Sequence, residues 1–126
     1  MSTEVEILLR PIEEMNRIQV VIEVARAAGV ELRHGPDIYE GRAYVGIIDD
    51  DVAIELFPDD RHDPDDDTGD MPFSKHPYTV EFRPLNRSVE KAQRSMERVY
   101  DRLKETGHFS LFATFDWQYP LRGDIV

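Results

Sequence analysis

Cysteine is absent, so neither a disulfide nor a thiolate-held metal contributes to this fold. Long apolar runs are absent too. No stretch approaches the ~20 residues that a membrane-spanning helix needs. The opening MSTEVEILLRP has no basic stretch ahead of an apolar one, the mark of a secretory leader. A cytoplasmic protein without membrane association is expected. Positive charge is scarce: 15 Lys and Arg face 26 Asp and Glu. That balance argues against direct nucleic-acid binding, which takes clustered cations. Catalytic signatures are missing as well. There is no GxSxG, no phosphate-binding Gly-rich loop, no GxGxxG and no HExxH. No catalytic residue, metal or cofactor is expected from motif alone.

What the chain does have is negative charge in one place. Residues 49–70, DDDVAIELFPDDRHDPDDDTGD, hold ten Asp and one Glu against one Arg, so −10 of the net −11 lies there. Charge concentrated this way repels itself, and solubility alone does not require it. It creates a field for a basic protein surface or a cation. Asp63, Asp65 and Asp67 alternate as calcium ligands do, but Gly69 stands in the seventh place and Ser74 in the twelfth. The helix–loop–helix pattern needs Gly sixth and Glu twelfth.

At 126 residues and 40% apolar composition, the chain suits one domain, residues 1–126, with a real core. Residues 3–9, TEVEILL, read as a strand. Pro11 suits the first position of a helix, and Glu13 and Glu14 suit its first turn. Ile12, Met15, Ile18, Ile22 and Ala25 then form an apolar stripe, widened by Val20, Val21 and Val24, and Gly29 supplies the stop. A heavily buried helix over 11–28 is expected. Strands at 42–49 and 52–57 read as a hairpin. Residues 58–76, with seven Asp and three Pro, read as a long or partly disordered loop whose far end Met71 and Phe73 pin to the core. PYTVEFR at 77–83 is a further strand. Asn86 or Ser88 caps a second helix, with Val89, Ala92, Met96, Val99 and Leu103 spaced as a core stripe and Gly107 at its end. FSLFATFDW at 109–117 is the last clear strand, and the tail either packs or adds an edge. The order β-α-β-β-β-α-β predicts an α+β two-layer sandwich. Its sheet is mostly antiparallel with two helices on one face, ferredoxin-like with an added strand.

The second helix carries Arg87, Lys91, Arg94, Arg98 and Arg102 along one face beside several acids. This reads as a salt-laced surface, and it is also compatible with a symmetric homodimer in which basic face meets acidic loop. His62 reads as an exposed loop histidine.

In size, charge and architecture the chain resembles toxin-neutralising immunity proteins as a class. No motif carries that resemblance to a particular family. What it implies is a non-catalytic bacterial binding protein that neutralises a basic protein partner, such as a toxic nuclease. The expected contact acids are Asp49, Asp50, Asp51, Glu55, Asp59, Asp60, Asp65, Asp66 and Asp67. Opposite charge would speed encounter and suppress wrong partners. The competing expectation is a small ferredoxin-like enzyme or ligand-binding domain with loop 58–76 as a lid. His34, His76 and Tyr78 are then its candidate polar groups, and a pocket beneath the loop distinguishes the two.

Overall fold

The structure, a computed structural model, describes residues 4–126, so the expected first strand position at residue 3 lies outside it. In chain order the elements are β1 (Val5–Pro11), α1 (Arg17–Ala28), β2 (Tyr44–Ile48), β3 (Val52–Phe57), β4 (Tyr78–Pro84), α2 (Val89–Thr106), β5 (Phe109–Phe115) and β6 (Tyr119–Asp124). The strands form one sheet in the order β2-β3-β4-β1-β5-β6, and every neighbouring pair is antiparallel. The fold is mixed α+β, as expected. The tail supplies β6, an edge strand on β5.

Alternation along the strands sorts the two faces of the sheet. Val5, Ile7 and Leu9 of β1, Ile54 and Leu56 of β3, and Val80 and Phe82 of β4 join both helices in one core. From α2 this core takes Ala92, Met96, Val99, Tyr100 and Leu103, nearly the expected stripe. Ser88 caps α2 by accepting from the Lys91 amide, and Gly107 ends it with φ of 71°. Left-handed φ is the conformation that favours glycine there.

Helix α1 differs from expectation. It starts at Arg17 rather than residue 11, and Pro11 ends β1 instead. Asn16 and Gln19 form a reciprocal capping box, which fixes the start. The buried side is Val20, Val24, Ala27 and Ala28, whereas Ile12, Ile18 and Ile22 are exposed. The β-branched run offers two apolar stripes, and the later start turns the Val side inward.

The β2–β3 hairpin turns through three residues, Asp49 to Asp51. Asp49 and Asp50 have φ of 54° and 68°. Asp tolerates this left-handed region better than most side chains. Outside β2, the segment after α1 lies close against the sheet edge: Arg33 and Val45 exchange backbone hydrogen bonds at 2.7 and 2.8 Å. A side chain at Gly46 would meet the Glu31 carbonyl at 2.8 Å, so this coverage of the edge needs glycine.

Loop 58–76 folds across the second face of the sheet. Met71 and Phe73 are buried there with Leu8 and Phe112, as expected of the loop's far end. His76 is buried too, with one ring nitrogen 2.9 Å from the Pro72 carbonyl and the other 2.9 Å from Ser110 Oγ. Asp67 accepts from the Ser74 amide at 2.8 Å, closing the loop on itself.

Candidate functional site

The fold divides the acidic segment. Asp49, Asp50 and Asp51 sit at one end of β3, and residues 59–70 follow its other end. Six extended residues span about 20 Å. The screening length at physiological salt is about 8 Å, so the two groups do not act as one field.

The two ends also differ in neutralisation. Asp49 accepts from Ser95 Oγ at 2.6 Å and from Arg98 at 2.7 Å. These bonds, the serine's foremost, hold its carboxyl below the usual range. Asp51 pairs with Lys91 at 2.6 Å and accepts from Asn86 at 2.6 Å. The basic face of α2 therefore meets the hairpin turn within one molecule. Around the loop, seven Asp face only Arg61 and Lys75 as cationic loop residues. Asp59 pairs with Arg61 at 3.1 Å, and Asp63 accepts from the Asp65 amide. Asp65 and Asp66 are exposed in a short 3-10 turn. Asp67 is tied to Ser74 by side-chain and backbone bonds, which lower its carboxyl's pKa.

Beneath the near half of the loop, the second face carries a row of carboxyls. Glu55 of β3 lies opposite Glu81 of β4, and Glu81 lies opposite Glu6 of β1. Like charges directly opposite destabilise a sheet unless their charge is removed or compensated. Here burial pushes Glu81 up to about 8, with Glu4 and Glu55 adding to the shift. Burial also pushes Glu6 up to about 8, against the Thr114 hydroxyl, which donates to it at 3.0 Å. Both therefore hold a proton near neutrality, and Glu81 shares a hydrogen bond with Glu4. Glu55 is buried but compensated: Tyr39 Oη donates at 2.5 Å and Arg83 stands at 3.6 Å. Tyr39 reaches it with φ of 48°, a strained conformation for a bulky side chain.

A cavity of about 690 Å³ opens over Glu81. Its apolar walls are Phe57, Phe73 and Trp117, and its polar rim includes Asp60, Asp66 and Arg42. His62 lines it, 5.3 Å from the Trp117 ring and 5.4 Å from Phe73. Its side chain is only 17% exposed, so it is not the open loop histidine expected. Asp60 lies 3.6 Å from it. Trp117 enters from the β5–β6 turn with φ of 60°.

Of the expected contact acids, Glu55, next to Glu81 in the sheet, lines a separate cleft with Arg83, whereas Asp60 and Asp66 line this cavity. Asp59, Asp65 and Asp67 lie in the same loop, and Asp49, Asp50 and Asp51 lie at the far turn. The histidines and tyrosine of the ligand-site expectation do not gather here. His34 bonds the Gly41 carbonyl at 2.8 Å and stacks on Tyr44, His76 is buried against Ser110, and Tyr78 packs toward the helices. Sequence reasoning missed Glu6 and Glu81. Their signal is a Glu between apolar residues in each of three strands: VEI, IEL and VEF.

Chemically, the site offers protonated carboxyls, aromatic faces and an acidic rim. No group of three His, Cys, Asp or Glu among the described residues is placed to hold a metal ion. No helix among them is long and apolar enough to cross a membrane. No protein-family model, no curated protein and no solved structure matches the chain.

Proposed function

We propose that this protein is a non-catalytic binding protein for a basic protein partner, of the kind that neutralises a toxic enzyme, and that it binds through loop 58–76 and the cavity below. One observation carries the reading: Asp49 and Asp51 of the hairpin turn have cationic partners on α2, while the loop acids are left in excess on a firmly anchored loop. A folded acidic surface presents its field without the ordering cost of a disordered one. The cavity opens broadly to solvent, which suits a group projecting from a larger partner.

For the architecture, we read a two-layer sandwich whose central order β5-β1-β4-β3 is ferredoxin-like, with β2 and β6 added at the two edges. The shared core of both helices supports this. A cytoplasmic, bacterial setting belongs to the same proposal. So does the absence of direct nucleic-acid contact, supported by the excess acid.

Capture from lysate tests the function. The wild type is compared with a triple variant, Asp59→Lys, Asp65→Lys and Asp70→Lys, whose positions are exposed. The expected result is one dominant basic protein, bound by the wild type, released by salt and lost with the variant. Equal retention by both proteins overturns the reading.

A second reading rests on the cavity itself. Perturbed carboxyls in a concave site suit a small cationic ligand, with residues 59–68 as the lid. Only that near half can lift, because Met71, Phe73 and His76 anchor the rest.

A further inference from the structure

Among the described residues, four buried side-chain atoms have no hydrogen-bond partner: Glu6 Oε1, Thr79 Oγ1, His62 Nε2 and Asp51 Oδ1. Asp51 Oδ1 lies 2.6 Å from Lys91 Nζ, so it is compensated by charge. Of the other three, only His62 lines the cavity over Glu81, and its Nε2 stands 3.6 Å from Asp60 Oδ2. Glu6 stands opposite Glu81 on the neighbouring strand, and Thr79 stands opposite Phe57, another cavity wall. Glu6 and Thr79 are both 0% exposed. A concave site with aromatic walls and convergent polar groups suits a ligand, and this cavity has that lining.

The walls identify its chemistry. Aromatic faces and carboxyls together favour a cation over an anion or a neutral group. The carboxyls are not placed to hold a metal, which leaves an organic cation. A guanidinium is planar, bonds two carboxyls in a fixed fork, stacks on an indole, and sheds water more readily than an ammonium. Asp60 and Asp66 at the rim would face the chain that carries it.

Resting on the binding reading above, we propose that the cavity is an anchor site for one arginine side chain of the basic partner. The guanidinium lies against the Trp117 ring and bonds the Glu81 carboxyl. On binding, the Glu81 carboxyl gives up its proton to solvent, so the cation replaces one proton. Around Glu81 the charged groups are Glu4, Glu6, Glu55, Asp60, Asp66 and Asp116 on the acidic side. On the basic side are Arg42, Arg83 and, when protonated, His62. Arg42 is held at the rim through its Nε bond to the Tyr39 carbonyl at 3.1 Å, and Arg83 is engaged by Glu55.

Trp117 is the sole tryptophan, so intrinsic fluorescence reports this cavity directly. The probes are three blocked tripeptides, acetyl-Gly-X-Gly-amide with X as arginine, lysine or citrulline. The arginine peptide is expected to change Trp117 emission saturably, the lysine peptide more weakly and the citrulline peptide not at all. Affinity for the arginine peptide rises about tenfold per pH unit for each proton displaced as pH goes from 6 to 8. Glu81→Gln, a near-isosteric change, weakens it about tenfold or more and flattens that pH dependence.

Several results overturn the anchor: no saturable change, an equal response to citrulline, a stronger response to lysine, or unchanged binding by Glu81→Gln. The triple loop variant separates this proposal from the one it rests on. Its cavity is intact, so it still takes the arginine peptide at high salt if the anchor is right, whatever the capture experiment shows. Loop-dependent capture of a basic partner with no response to the arginine peptide refutes the anchor and leaves the binding reading standing.

Discussion

Glu6→Gln offers a sharp test of the buried carboxyl row. The folded protein holds the Glu6 proton up to about pH 8, whereas the ordinary value for the exposed group is 4.5. Between those limits the folded state binds more protons than the unfolded chain, so each rise in pH favours unfolding. This contribution is complete below pH 4.5 and gone above about 8. Its steepest slope is about 1.4 kcal/mol per pH unit. Glutamine keeps the shape and has no proton to lose. The stability difference between variant and wild type should therefore grow by about 3 kcal/mol between pH 5 and 7.5, as an upper bound. Titrating groups remote from Glu6 enter both proteins alike. His76 acts in the opposite direction, because burial lowers its pKa and its contribution is lost as pH falls below the ordinary histidine range. Urea denaturation followed by far-ultraviolet circular dichroism at pH 5, 6, 7 and 8 gives the difference directly. Parallel curves for variant and wild type would refute the claim that Glu6 is buried with its proton.

Four further outcomes follow from other parts of the fold. Asp50→Gly should stabilise the protein by roughly 0.5–1 kcal/mol, because residue 50 has φ of 68° and its side chain is exposed; a loss in urea midpoint contradicts this. Asp49→Asn keeps a side chain suited to that turn and loses the charge facing Arg98, so it should cost about 0.5–1 kcal/mol near neutrality. That cost should vanish as pH falls below 3.8, where the wild-type carboxyl takes up a proton. Val24→Ala should cost about 2 kcal/mol while Ile22→Ser stays within about 0.5; the reverse ranking in thermal or urea melts would place α1 the other way round.

Local signals decide how much of this is readable in advance. Helix α2 is legible because one apolar stripe, one cap at Ser88 and one stop at Gly107 agree. Helix α1 is not, because Ile12, Ile18 and Ile22 compete with Val20 and Val24 for the inward side. The Asn16–Gln19 capping box, visible as N-R-I-Q, settles the competition only once the start is known. The acidic loop and its anchors Met71 and Phe73 can be read from composition. The carboxyl row cannot. A Glu at an alternate strand position ordinarily reads as facing water. Only the pairing of β3, β4 and β1 brings Glu55, Glu81 and Glu6 side by side. Only the fold of loop 58–76 covers them. Both are long-range facts with no local code. The same holds for Asp49 and Asp51, which belong to the acidic run in sequence but to the basic helix in space.

The central claim is that the two ends of β3 have different jobs: the hairpin turn is internal electrostatics and the loop end is the binding face. Hydrogen–deuterium exchange of the protein, alone and saturated with its captured basic partner, tests it most directly. The account predicts protection concentrated in residues 59–71, in the 116–118 turn and in the strand residues around Glu81. It predicts none at residues 49–51. Protection centred on the hairpin turn or on the exposed Ile18 and Ile22 side of α1, with loop 58–76 unchanged, would contradict it.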